Sequence, residues 1–193
     1  MIDTRLAPGL LLAMPQLIDP NFGRSVVLMV EHNDEGSFGL VINQPLDLTA
    51  SELLGSMDID WRGDEDTIVW CGGPVQPNSG WVLHEPVSGI EVDESARLGE
   101  AESILIAPEV ALSTTPSALR ILAGAPPQHT RLLLGYSGWG PGQLASEMAR
   151  GSWLHADVDP ALVFDAPADE MWDRAVRSVG IDPQNVVQGF GVH

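Results

Sequence analysis

Short unbroken apolar runs dominate the first part of the chain, and helical spacing enters only later. Val26 to Val30 is one such run, rich in β-branched residues, the pattern of a strand covered on both faces. Asn33-Asp34-Glu35-Gly36 supplies turn chemistry, and Leu40-Val41-Ile42 is a second apolar run. The stretch from Asp19 to Pro45 therefore reads as an antiparallel hairpin at the centre of a sheet. Asp19 and Arg24 precede the first run, and Asn43 and Gln44 follow the second, so a hairpin sets these polar groups side by side. Glu31 and His32 fall at the opposite end, by the turn. Pairing of Arg24 with Asp19 or a backbone carbonyl is the expected way to pin the loop.

Around the hairpin, Gly9 to Met14 reads as a strand stopped by Pro15. Thr49-Ala50-Ser51-Glu52 fits a capping box and starts a helix from Ala50 to about Met57, with Leu53, Leu54 and Met57 on one face. Residues 58–66 and 91–102 are acidic and read as solvated loops. The first lacks the ligand spacing and closing glutamate of a calcium loop. Strands are expected at Thr67 to Cys71, Gly80 to His84, Ile104 to Ala107 and Arg131 to Tyr136, with Gly72-Gly73-Pro74 as a turn. Thr115 caps a helix that has Pro116 at its first position and Gly124 past its end. Gly138 to Gly142 is expected as a tight loop, and Pro141 opens a helix through Arg150. Trp153 to Ala156 and Ala161 to Phe164 read as short strands. The last helix starts at Pro167, with Met171, Trp172, Ala175, Val176 and Val179 as its apolar stripe. A glycine-rich tail runs to His193. Strands come consecutively and helices interleave later, which predicts an α+β fold with a mixed, largely antiparallel sheet in a single domain spanning 1–193.

Charge narrows the classes of partner. The chain has 193 residues, nine basic and 27 acidic side chains and a net charge of −18; every basic residue is arginine. A field of that sign opposes phosphate backbones and anionic lipid, so direct nucleic-acid binding is disfavoured. The single cysteine, Cys71, excludes an internal disulfide and fits a reducing cytoplasm. No stretch approaches the ~20 apolar residues of a membrane span, and the N-terminus lacks the features of a signal peptide.

Candidate chemistry is sparse. Gly135-Tyr136-Ser137-Gly138-Trp139 sits between a strand and a helix, but Trp139 stands where the nucleophile elbow of G-x-S-x-G type has glycine. Cys71, with His84 on the following strand, has no further support as a thiolate nucleophile. His32, His84, His129, His155 and His193 show no metal-ligand spacing, so neither a metal nor a cofactor is implied. Most of the six tryptophans belong in a core; Trp139, in a glycine-rich loop, is expected at a surface where it lines a pocket or faces a partner.

Four stretches together resemble one family: Asp19-Pro20 with Phe22, Arg24-Ser25-Val26-Val27 and Glu31-His32-Asn33; Gly39 to Asn43 with Pro45; Gly72-Gly73-Pro74-Val75 with Val82-Leu83-His84; and Gly135-Tyr136 with Gly138-Trp139, Gly142-Gln143-Leu144 and Trp153-Leu154. The chain resembles the YqgE/AlgH family of bacterial proteins from Leu6 onward. The resemblance implies an α+β fold with a bifurcated sheet, part of it rolled into a small barrel and surrounded by helices. It also implies a cytosolic protein with a transcriptional-regulator label that rests on genetic association, and no particular reaction. Gln44 and Ser79 stand where the family often has arginine, Trp81 where it has phenylalanine, and Ser137 where alanine is common. The loss of two arginines weighs against a shared anion site.

The favoured expectation is a non-enzymatic regulatory or binding protein that acts through a protein or small-molecule partner. Its candidate binding residues are Arg24, Asn43, Trp139 and Gln143, with Asp19 positioning Arg24. The rival expectations are an enzyme using Glu31, His32 or His84 for proton transfer and a direct DNA-binding regulator, the latter opposed by the charge.

Overall fold

The computed structural model describes residues 5–17 and 19–188. The Gly191-Val192-His193 terminus and the end of the glycine-rich tail lie outside the described residues. β1 (Gly9–Ala13), β2 (Val26–Asn33) and β3 (Gly36–Val41) form an antiparallel meander. The β2–β3 hairpin pairs Val27 with Val41 and Asn33 with Gly36, with an irregularity between Met29 and Glu31. Its apolar runs are fully buried from Val26 to Met29 and from Leu40 to Ile42, as the two-sided pattern requires.

β4 (Pro45–Thr49) leads into α1 (Ala50–Gly55), which is opened by the Thr49–Glu52 capping box and ends short of Met57. β5 (Ile68–Cys71), β6 (Val75–His84), β7 (Val92–Asp93), β8 (Ser103–Ala107) and β9 (Val110–Ser113) follow. Then come α2 (Pro116–Gly124), β10 (Thr130–Trp139), α3 (Gln143–Ala149) and β11 (Trp153–Ala156). α4 (Pro160–Phe164), α5 (Ala168–Ser178) and α6 (Pro183–Gln188) close the described chain.

The strands run β11-β1-β2-β3-β10-β6-β9-β8-β7 in one curled, half-barrel sheet, and β5, with β4 beside it, branches from β10. Among the described residues only β5–β10 and β7–β8 pair in parallel. β10 makes the fork. Leu132 to Leu134 lie between β5 and β6, whereas Ser137 to Trp139 exchange β5 for β3. The α+β class and the bifurcated, largely antiparallel sheet expected above are therefore present.

Several local expectations need correction. Residues 161–164 are helical: Asp159 accepts a hydrogen bond from the Ala161 N–H and Pro160 opens the helix, so an apolar tetrad that fits a strand is carried by its cap. Gly138 and Trp139 extend β10 instead of forming a loop, paired to Phe38 and Ser37. β6 begins at Val75, not Gly80, while α3 begins at Gln143, not Pro141. β4 and β9 are strands the periodicity does not announce, and β7 interrupts the acidic 91–102 segment. Among the described residues no helix is long and apolar enough to cross a membrane.

The main core lies between the sheet and α4–α5, where Met171, Trp172, Ala175 and Val176 meet Leu10, Leu12, Leu28 and Leu133. A second cluster on the other face of the meander gathers Leu11, Val27, Val41, Trp139, Leu144 and Trp153.

Candidate functional site

The polar residues at the hairpin base are used to hold it together. Asn43 Oδ1 accepts from the Val26 N–H at 2.9 Å and its Nδ2 donates to the Arg24 carbonyl at 3.0 Å. Gln44 Nε2 donates to the Asn21 carbonyl and to Ser25 Oγ, both at 3.0 Å. Asp19 accepts from the Asn21 backbone and side-chain amides in a local turn. Arg24 does not pair with Asp19 as expected. It takes φ +53°, uncommon for a residue other than glycine, and its guanidinium donates to Asp173 on α5 while lying 4.7 Å over the Trp172 ring. That partner is 149 residues away in sequence, beyond any local spacing rule.

Trp139 and Gln143 lie together in a different setting. Trp139 is 6% exposed, not a surface side chain. Its Nε1–H donates to Glu147 Oε2 at 3.0 Å, and the Trp153 Nε1–H donates to the same oxygen at 2.7 Å. Phe22, carried by the loop before β2, packs 6.1 Å from the Trp139 ring and 5.4 Å from the Trp153 ring. Gln143 accepts from the Gly140 N–H and donates to Glu147 Oε1. Arg24 thus ties one end of the hairpin to α5, while Asp19 and Asn43 hold the loop that carries it. Trp139 and Gln143 anchor the start of α3 to the sheet face. Phe22 is the link between the two groups.

At the other end of the hairpin lies an open cleft of about 490 Å³, bordered by Glu31, Glu35, Ser37, Phe38, Tyr136 and Trp139 among others. Phe38 and Tyr136 stack at 4.8 Å, and Trp81 meets Phe38 edge-on at 5.0 Å. Glu31 Oε1 accepts from the Leu98 N–H at 2.6 Å, tying the acidic segment to β2. Glu35 is exposed. Of the cleft residues only Glu31 and Trp139 belong to the candidates read from sequence. Phe38 carries no local motif, and Tyr136 lies in one without being singled out by it; they meet because β3 and β10 pair.

The residues proposed for proton transfer are dispersed. His32 hydrogen-bonds Ser37 at 2.6 Å near the turn. His84 is fully buried, its Nδ1 at 2.8 Å from the Glu85 carbonyl and its Nε2 at 2.7 Å from Ser113 Oγ. A carbonyl only accepts, so Nδ1 carries the proton and Nε2 accepts from the serine in the neutral ring. Cys71 pairs with Leu134 on one side of β10 and His84 with Thr130 on the other, so they do not form a dyad. Ser137 is buried, and its hydroxyl donates to the Gly72 carbonyl at 3.3 Å.

Burial holds the His84 pKa below its ordinary value of 6.5. The unfolded chain therefore binds more protons than the native state between the two pKa values, and stability falls as pH drops through about 6.5, levelling off below the folded value. Urea midpoints should decline from pH 8 to 5.5, and His84→Gln should flatten that decline. An unchanged slope in the variant would remove His84 as its source.

A third polar site was not signalled. Arg131, read only as the first residue of an apolar strand, is 5% exposed. It donates from Nη1 to the Ile42 carbonyl at 2.8 Å and lies 4.0 Å over the Trp70 ring. Nearby, His129 bridges Glu85 at 3.4 Å and Asp165 at 3.2 Å.

Comparisons with known proteins agree over nearly the whole chain. The profile of a family described as AlgH-like matches residues 10–184. A UPF0301 protein of Myxococcus xanthus is 46% identical over 189 residues, covering 97% of this chain and 98% of the relative. One from an Anaeromyxobacter species is 38% identical over 193 residues, covering 96% and 94%. The solution structure of the AlgH protein from Pseudomonas aeruginosa superposes with a TM-score of 0.72 at 34% identity, covering 100% of this chain and 98% of that one. A crystal structure of a Corynebacterium diphtheriae protein shares the fold, with a TM-score of 0.66 at 23% identity over 89% and 85%.

Proposed function

The chain belongs to the AlgH-like family, and we propose that it works by binding and not by catalysis, receiving a cationic segment of a partner protein in the cleft beside the β2–β3 turn. The observation that carries this reading is the composition of that cleft: the carboxylates of Glu31 and Glu35 stand beside the stacked faces of Phe38 and Tyr136. A lysine or arginine side chain is satisfied by both at once, through charge-assisted hydrogen bonds and through the ring quadrupole. The net charge of −18 steers cations toward the protein and repels nucleic acid. Catalysis has less support, because Glu31 is held by the Leu98 N–H and His84 is closed inside the sheet. A regulatory role in the cytosol, exercised through such a partner, fits the single cysteine and the acidic surface.

The test is a titration with hexa-arginine, and with hexaglutamate as control, followed by NMR. Hexa-arginine should move the Phe38 and Tyr136 resonances saturably, and Glu35→Gln should weaken it about fivefold, the ~1 kcal/mol of one exposed ion pair. Shifts scattered over the whole acidic surface, or none at the cleft, would refute the reading.

A further inference from the structure

We propose that the cavity beside Arg131 is a second, separate binding site, specific for a small monocarboxylate with a flat apolar body. Arg131 is the only buried arginine among the described residues. Its guanidinium reaches two carbonyls, Ile42 O at 2.8 Å and Phe164 O at 3.4 Å, and among the described residues no carboxylate oxygen lies within ion-pairing distance of it. Asp165 is near enough for its charge to act on Arg131, but its Oδ1 is 3.2 Å from His129 Nε2. Among the described residues the guanidinium thus has two carbonyl acceptors, the Trp70 face and the distant charge of Asp165, but no carboxylate in direct contact, in surroundings dry enough to pull its pKa down to about 10. Buried charges ordinarily come with a partner.

The partner's shape is set by the cavity. Its volume is about 260 Å³, and its lining includes Arg131, Trp70, Phe164, His129, Thr130 and Asp66. The stacked His129–Phe164 pair, with ring centroids 5.2 Å apart, presents a flat wall, and Trp70 backs the guanidinium. A guanidinium presents a planar fork of donors that matches a carboxylate. Asp66 lines the cavity, and Glu85 and Asp165 hold His129 beside it, so this negative charge penalises a phosphate dianion more than a monoanion. The site lies at the start of the parallel β5–β10 pair, remote in chain order from the cleft at the hairpin turn, so the two can succeed or fail independently.

Benzoate is the probe, with neutral benzamide and inorganic phosphate beside it. Benzoate should raise the thermal midpoint of the wild-type protein and shift the Trp70 indole and His129 ring resonances saturably, with benzamide and phosphate at least about tenfold weaker. Arg131→Met keeps the volume and removes the charge; it should fold with an equal or higher midpoint and lose the benzoate response. Failure of benzoate to move Trp70 and His129 would overturn the proposal. So would equal binding of benzamide, tighter binding of phosphate, or an undiminished response in Arg131→Met. Should that variant not fold, the wild-type contrast between benzoate and benzamide decides alone.

Discussion

Gly73→Ala is expected to abolish the native fold or to destabilise it by more than about 4 kcal/mol, beyond the usual range for a single substitution. A Cβ at Gly73 would lie 2.3 Å from the Tyr136 carbonyl carbon and oxygen and 2.4 Å from Ser137 Oγ. Two of those atoms are backbone and cannot rotate away. The residue also sits at φ +148°, which an L side chain rarely adopts. The reciprocal contact is as tight: a Cβ at Gly135, φ +76°, would meet the Gly73 carbonyl oxygen at 2.4 Å. Gly72 completes the crossing, donating to the Leu134 carbonyl while its own carbonyl accepts from the Val41 N–H. This is the fork of the sheet, where β10 leaves β5 and takes up β3. To make room for a methyl group β10 would have to move, and with it the registers to β3, β5 and β6. Gly80→Ala is the control, since no atom lies within 4 Å of its added Cβ. It should remain within about 1 kcal/mol of wild type. Urea unfolding of both variants makes the comparison. A Gly73→Ala protein as stable as the control, with wild-type NMR shifts, would mean that the crossing is looser than described.

The same fork shows where sequence reading reaches and where it stops. The hairpin is legible because both runs are buried on both faces, and the α1 and α2 caps because their side chains satisfy backbone groups within three residues. Gly72-Gly73-Pro74 is legible as a break in the chain, but a turn and a crossing ask for the same residues. Ala161 to Phe164 fits strand or helix equally, and only the Asp159-Pro160 cap separates them. Trp139 reads as a loop residue because its flanking glycines suggest a loop; in β10 they lie in or next to a paired strand whose indole is covered by Phe22 and Trp153.

Arg24, Asn43 and Gln143 are identifiable as polar groups at element ends, yet their partners, Asp173, the Val26 amide and Glu147, come from register or from distant chain. Arg131 had one local signal, a cation heading an apolar strand. Its burial depends on Trp70, which the parallel β5–β10 pairing brings beside it, and a parallel pairing leaves no turn to read.

Trp172→Ala should destabilise the protein by about 3–5 kcal/mol, the range for truncating a large buried aromatic side chain. Trp172 is 2% exposed on the face of α5 that packs on the sheet, and its Nε1–H donates to the Ala13 carbonyl at 2.9 Å. Ala13 ends β1, where its own N–H donates to the Ser25 carbonyl. One side chain thus joins the last long helix to the first strand and, through Arg24 lying 4.7 Å over its ring, to the loop before β2. Trp172→Phe keeps most of the apolar contact but leaves the Ala13 carbonyl without that donor, and should cost about 1–3 kcal/mol. Arg24→Ala, by contrast, removes a guanidinium whose side chain is 61% exposed, and should cost no more than about 1 kcal/mol. If the cation and the ring support each other, the double variant will lose less than the sum of the two. This ordering distinguishes the roles of Arg24. A mild stability loss in Arg24→Ala leaves its guanidinium available as a binding group. A loss approaching that of Trp172→Ala would assign it to the architecture that holds α5 on the sheet.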